Sequence, residues 1–279
     1  MDKKVPVYRK IAVVYNPDKE RARRELPRLG KWLRKKGVSF TVSRPDKISL
    51  RQAGMVIALG GDGTVLHAAK QASAWGIPVF GVNVGRLGFL TATEVDEMYP
   101  VLAKLLAGHG RIEIRTMLSV RVRINGKSCG PFLALNDCVI RSGATGRVFQ
   151  LNVSIRGKSL ATYLGDGLII ATPTGSTAYS LAAYGPIVYP ETDVMLLSPI
   201  SPHTLALRPL VLPAFEIVSV EVAQRNPSAA LCLDGIVMHP LRGGDRIEVR
   251  RATEQVQLFL HPDRNFYEVL QNKLKWGGN

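Results

Sequence analysis

The chain has 279 residues, 46% of them apolar and 21% charged, with a formal net charge of +15. That balance excludes a disordered chain and gives enough length for one large domain or two ordinary ones, each with a sizeable core. Cys129, Cys138 and Cys232 lack Cys-x-x-Cys spacing, no apolar stretch can span a bilayer, and no signal-type apolar run follows the charged start, so the reading is a cytoplasmic protein with reduced thiols and neither disulfide nor structural zinc.

Residues 11–15 read as a first strand, 19–36 as a helix that Pro27 interrupts or starts late, and 38–42 as a second strand. The helix carries Arg21, Arg23, Arg24, Arg28, Lys31, Arg34 and Lys35 against only Glu20 and Glu25. With a seam of Leu26, Leu29 and Leu33 and no aromatic platform, it reads as a solvated face in preference to a nucleic-acid surface. A positive field also steers multiply charged nucleotides. Residues 55–59 and 77–82 read as two further strands around a helix at 65–74, an alternation that predicts a Rossmann-like parallel α/β sheet. Residues 94–107 have helical periodicity and close this block.

Between the strand at 55–59 and its helix stands Gly60-Gly61-Asp62-Gly63-Thr64. Glycines here allow positive φ and a close approach of an anion to the main chain, and the free N–H groups of the helix face that anion. Asp62 adds a carboxylate that can accept a proton or help to hold a metal. The turn is neither a P-loop nor a Gly-x-Gly-x-x-Gly fingerprint; the alternative is a tight connection capped by Asp or Thr. Its place at a strand's carboxyl end is where open α/β sheets bind ligands.

From about residue 112 the texture changes to alternating runs and hairpin signals. Runs at 118–124, 133–141 and 148–155, with turns at Asn125-Gly126, Arg156-Gly157-Lys158, Asp234-Gly235 and Gly243-Gly244-Asp245, predict a β-rich, sandwich-like second domain. After the apolar run 168–171 comes Thr172-Pro173-Thr174-Gly175-Ser176-Thr177-Ala178-Tyr179, a turn rich in hydroxyls suited to a polar ligand. Residues 265–273 read as a short helix. The expected division is an α/β domain over 1–110, completed by 255–279 if that helix returns to it, and a β-rich domain over 111–254.

Four more segments follow the order of a known family: Gly81-Val82-Asn83-Val84-Gly85-Arg86-Leu87-Gly88-Phe89-Leu90, Leu135-Asn136-Asp137, Asp166-Gly167, and Ser201-Pro202-His203-Thr204-Leu205-Ala206-Leu207-Arg208-Pro209-Leu210. With the two turns, they make a chain that resembles the NAD kinases from Asp62 to Asp234. The turn at Asp62 is shared with diacylglycerol and sphingosine kinases, so a lipid kinase is the alternative. The resemblance implies transfer of the γ-phosphoryl of ATP, or of polyphosphate, to the 2′-hydroxyl of the adenosine ribose of NAD. Because the transition state is loose, Asp62 as the catalytic residue need only orient that hydroxyl and take its proton late.

By the same resemblance, Gly60, Gly61, Gly63 and Thr64 cradle the ATP phosphates, bridged by Mg²⁺ or another divalent cation with no protein ligand assigned. The NAD-binding set is Asp62, Gly63, His67, Asn136, Asp137, Arg147, Asp166, Thr174, Thr177, Ala178, Tyr179 and Ser180. The Asn136 amide suits the adenine edge and the Asp137 carboxylate the ribose hydroxyls, while Asp166 meets the nicotinamide end. Without the resemblance, Asn136-Asp137 reads as an Asx turn, His67 as a helix-surface histidine and Arg147 as a solvated loop arginine. His203 and Arg208 equally suit a bracing role. Leu164 stands where many members carry arginine, which leaves acceptance of NADH open. The family's assembly implies a homodimer or homotetramer, with no nucleic-acid or membrane partner.

Overall fold

A computed structural model describes residues 8–85, 88–143, 149–224 and 228–276. Arg86, Leu87, Arg147 and Val148, named above, lie outside the described residues. The chain divides into two compact units, Met1–Ile114 with Gln255–Asn279, and Arg115–Glu254.

The first unit begins with β1 (Lys10–Tyr15), α1 (Glu20–Lys35), β2 (Ser39–Ser43), β3 (Met55–Gly60), α2 (Asp62–Ser73), β4 (Val79–Asn83), β5 (Thr93–Glu94) and α3 (Met98–Leu106). Strands β2, β1, β3 and β4 lie side by side in that order, all parallel, with β5 parallel to β4. Every residue of β3 is buried, the continuous apolar run that a parallel sheet covered on both faces requires. The strand order reverses between β1 and β3, and in an open α/β sheet the crevice lies outside the carboxyl ends at that point. Asn16 follows β1 and donates its N–H to Leu59 O at 3.0 Å, so the turn carrying Asp62 starts at this junction.

Two expectations are corrected here. Helix α1 runs through Pro27 without a break. Proline removes the main-chain bond to the carbonyl of Arg23, but Pro27 sits on the exposed face while Ala22, Glu25, Leu29 and Leu33 bury the inner one. Packing of that seam outweighs the one lost bond. The stretch 94–107 is helical only from Met98, because Thr93 and Glu94 pair with Val82 and Asn83 as β5 and a 3₁₀ turn, Val95–Glu97, intervenes.

The second unit is built from β6 (Arg111–Ile124), which leads into it, then β7 (Lys127–Ala134), β8 (Asp137–Ser142), β9 (Phe149–Ile155), β10 (Lys158–Gly165), β11 (Gly167–Ala171), the single turn α4 (Tyr179–Ala182), β12 (Val194–Ile200), β13 (Leu210–Pro213), β14 (Val218–Val222), β15 (Ala229–Leu233), β16 (Ile236–Leu241) and β17 (Arg246–Leu260), which leads out. One layer holds β10, β9, β14 and β17 in that order; the other is antiparallel, in the order β13-β12-β11-β8-β15-β16. Leu151, Val153, Val218, Val220, Ile247 and Val249 from the first share one core with Cys138, Ile140, Leu168, Ile170, Leu231 and Leu233 from the second. Period-two alternation thus produces the sandwich. The run 133–141 is not one strand: it breaks at Leu135 and Asn136, where the chain leaves its pairing with β6 and enters the other layer between β11 and β15. The chain then returns to the first unit with α5 (Phe266–Leu274), whose start is a capping box in which Glu268 N–H donates to Asn265 Oδ1 at 3.0 Å.

Pro27→Ala restores a main-chain donor on an exposed helix face, so it is expected to stabilise the protein by about 1–3 kcal/mol in urea unfolding followed by circular dichroism. A midpoint unchanged or lowered would show that the helix is strained elsewhere.

Candidate active site

Asp62 opens α2 after Gly61, which is extended at φ −122° and ψ −171°. None of Gly60, Gly61 and Gly63 takes positive φ, so the expected use of these glycines for left-handed backbone is not what the turn needs. Their reason is space. A Cβ on Gly60 would stand 2.2 Å from Thr64 Oγ1, whereas a Cβ on Gly61 or Gly63 would meet nothing within 4 Å. Gly60 is therefore demanded by the buried Thr64, and the other two keep clear the room at the helix start, where the first N–H groups have no acceptor inside the helix. Such a place suits an anion.

The Asp62 carboxylate is half-buried and accepts two main-chain bonds, from Phe89 N–H to Oδ2 at 2.8 Å and from Leu90 N–H to Oδ1 at 3.1 Å. A Cβ on Gly88 would fall 1.8 Å from Asp62 Oδ1, so only glycine lets this loop reach the acid. The loop is itself pinned: Gly85 N–H donates to Asn83 Oδ1 at 2.7 Å and Gly88 N–H to Thr91 Oγ1 at 2.9 Å. His67 lies half-buried farther along α2. Among the described residues no group of three or more His, Cys, Asp or Glu side chains is placed to hold a metal.

In the second unit, Asn136 and Asp137 stand where the chain enters β8. Asp234 accepts the N–H groups of Leu135 (3.1 Å), Asn136 (2.7 Å) and Asp137 (3.3 Å), while the carbonyls of Leu135 and Asn136 accept from Thr172 Oγ1 (2.6 Å) and Thr172 N–H (2.9 Å). Both edges of this short segment are thus clamped. Asp137 is 4% exposed. Burial, reinforced by the negative charge of Asp234, pushes its carboxyl up to about 7.

The hydroxyl-rich turn is committed largely to holding itself. Gly175 N–H donates to Thr172 Oγ1 at 3.1 Å, Ser176 Oγ accepts from Val188 N–H at 3.1 Å, and Ser180 Oγ pairs with Ser198 Oγ at 2.9 Å. Thr174 Oγ1 accepts from the buried Arg115 at 3.2 Å. A Cβ on Gly175 would stand 2.0 Å from Asn136 O, so glycine allows the turn to lie against the clamped segment. Thr177 and Ala178 remain half-buried and Tyr179 is exposed. Asp166 is exposed between β10 and β11, and His203 and Arg208 are exposed as well. Arg147 lies outside the described residues. Sequence reasoning missed Asp234 as a site residue, taking it for a turn alone, and missed the parts of Thr172 and Gly88.

Two family models match the chain, the ATP-NAD kinase N-terminal domain over residues 46–110 and the ATP-NAD kinase C-terminal domain over residues 135–260. An NAD kinase of Geobacter sulfurreducens is 46% identical over 225 residues, covering 81% of this chain and 79% of that protein. One of Heliobacterium modesticaldum is 40% identical over 279 residues, covering 96% of this chain and 99% of that protein. Among solved structures, yeast NADH kinase complexed with NADH matches with a TM-score of 0.86 at 24% identity, over 98% of this chain and 89% of that one. An NAD kinase from Archaeoglobus fulgidus in complex with ATP matches with a TM-score of 0.77 at 22% identity, over 95% and 98%. At those identities the two structures speak for the fold. Nothing among these relatives favours a lipid kinase.

The raised Asp137 carboxyl has a consequence for stability. With a folded value near 7 against an ordinary value of 3.8, the native state holds the proton more tightly than the unfolded chain, so stability falls as pH rises through that window. Asp137→Asn removes this cost. Its melting temperature is expected to exceed that of the parent at about pH 8 and to converge with it toward about pH 4, by differential scanning fluorimetry; a pH-independent gap would show that Asp137 ionises normally.

Proposed function

The chain belongs to the NAD kinase family, and we propose that Asp62 is the residue through which it moves the γ-phosphoryl group of ATP to the 2′-hydroxyl of the adenosine ribose of NAD. What carries this reading is the carboxylate held by the Phe89 and Leu90 N–H groups beside a glycine turn with open space at a helix start. Phosphoryl transfer asks for positioning and neutralised charge more than for a strong base. Asp62 orients the ribose hydroxyl and accepts its proton as the new bond forms.

The space left by Gly61 and Gly63 takes the triphosphate, whose charge the helix N–H groups of the turn meet, and Thr64 packs against Gly60 to fix the backbone there. Asp62 is the carboxylate at the turn that would stand beside a magnesium ion, and the ion, when bound, would supply charge neutralisation for the transferring phosphates. A cation of this kind keeps several waters and needs one or two carboxylates at most, which the lone Asp62 at the turn fits and a protein cage would not. In the second unit the Asn136 amide recognises the adenine edge and Asp137 the ribose hydroxyls. Thr177, Ala178 and Tyr179 line the NAD side, and Thr174 and Ser180 shape the turn from within. Asp166 meets the nicotinamide end, His67 faces the NAD, and Arg147 serves a phosphate. We also place the protein in the cytoplasm as a homodimer or homotetramer.

Incubation with ATP, MgCl₂ and NAD is expected to yield NADP, read by an NADP-specific dehydrogenase; its absence overturns the activity. Asp62→Asn is expected to lower kcat by at least about 10²-fold while KM for NAD changes by less than about threefold, because it removes a proton acceptor and leaves the cradle. Equal damage to kcat and KM would make Asp62 a ligand-holding residue instead.

A further inference from the structure

Asp234 lies about a hundred residues from Asn136 and Asp137 in sequence, yet its carboxylate accepts the N–H groups of three consecutive residues there, Leu135, Asn136 and Asp137. It occupies a two-residue hairpin between β15 and β16 with Gly235, both at positive φ (50° and 79°), and its own N–H donates to Asp137 O at 3.0 Å. The two segments are therefore tied in both directions. A side chain that only closed a hairpin has no need to reach another strand's main chain. On the far edge of the same segment Thr172 takes the carbonyls of Leu135 and Asn136, so the main chain that carries the two side chains has no freedom to turn.

We propose that Asp234 is a positioning residue for NAD binding: by gathering the three N–H groups it fixes the direction in which Asn136 and Asp137 present their side chains. The inference rests on the assignment of Asn136 and Asp137 to NAD. The titratable groups that act on or beside Asp137 are the Asp234 carboxylate from the β15–β16 turn and the Cys138 thiol next to it on β8, which burial and both carboxylates push up. Of these, Asp234 is the group whose charge raises the Asp137 carboxyl, after burial itself. An ionised Asp137 accepts ribose hydroxyls through both oxygens; a protonated one loses part of that capacity.

Asp234→Asn isolates the carboxylate, because asparagine tolerates the left-handed turn and keeps the hairpin. Its amide oxygen can still accept, but its NH₂ now faces a main-chain N–H. Steady-state kinetics with ATP, Mg²⁺ and NAD, from about pH 5 to about pH 9, are expected to show KM for NAD raised about tenfold and kcat changed less than about threefold. The acid limb of kcat/KM for NAD is expected to move to lower pH, since Asp137 has lost its negative neighbour. A merely structural role would lower kcat and raise KM together and leave the limb in place, which overturns the inference, as does an unchanged KM. Asp137→Asn, measured alongside, separates the premises: if it leaves KM for NAD untouched, the assignment of the pair to NAD falls and the inference with it. Should Asp234→Asn not fold, hydrogen exchange on the parent enzyme decides, because the Leu135, Asn136 and Asp137 amides are expected to exchange slowly and to slow further with NAD; fast exchange overturns the clamp.

Discussion

A loop that packs against a protein must find acceptors for its main-chain N–H groups, and here aspartates supply them, mostly from far away in sequence. Asp62 takes Phe89 and Leu90; Asp234 takes Leu135, Asn136 and Asp137; Asp245 takes Arg242 and, across from β6, Asn125. Each orphaned N–H would cost about 1–3 kcal/mol, so losing one of these carboxylates leaves two or three unmet groups at once. Two of the three segments held this way carry or adjoin side chains proposed for the reaction. The scaffold and the chemistry thus depend on the same few charge-assisted bonds.

Glycine makes these contacts sterically possible, and its positions sort into two kinds. At Gly60, Gly88 and Gly175 a Cβ would collide within about 2 Å with Thr64, Asp62 and the carbonyl of Asn136 respectively, so the protein's own packing forbids a side chain. At Gly61 and Gly63 nothing inside the protein does. A glycine with no internal neighbour, not in the left-handed region and next to unpaired helix N–H groups, is explained by something that comes from outside. In the proposed function that something is the polyphosphate of a nucleotide, which needs the main chain within hydrogen-bonding reach.

The sheet of the first unit was legible because β1, β3 and β4 are buried on both faces and read as unbroken apolar runs, and the sandwich because β6 and β9 alternate. Pro27 misled because a local rule about helix breaking knows nothing of the seam that Leu29 and Leu33 bury. The break at Leu135 and Asn136 was hidden for a similar reason, since apolar residues on either side continue one alternation across two different layers. Asp62 stood out through its glycines. Asp234 did not, because Asp-Gly is fully explained as a hairpin turn and its partners are about a hundred residues away. The hydroxyls of the turn at Thr172 to Ser180 read as ligand groups, whereas nearby N–H and carbonyl groups compete for Thr172 and Ser176 and win.

Asp62 and Asp234 look alike in composition and differ in what remains to them. A carboxylate offers about four acceptor positions. Asp234 gives at least three of them to main-chain N–H groups and so is consumed by architecture. Asp62 gives one position on each oxygen, which fixes the plane of the group and leaves a further position on each for a hydroxyl proton. An acid that is already oriented need not reorganise to meet the ribose hydroxyl proposed for it, and preorganisation of this kind favours the chemical step. The loop at Gly88 to Leu90 is therefore as much a part of the proposed proton acceptor as the side chain it holds.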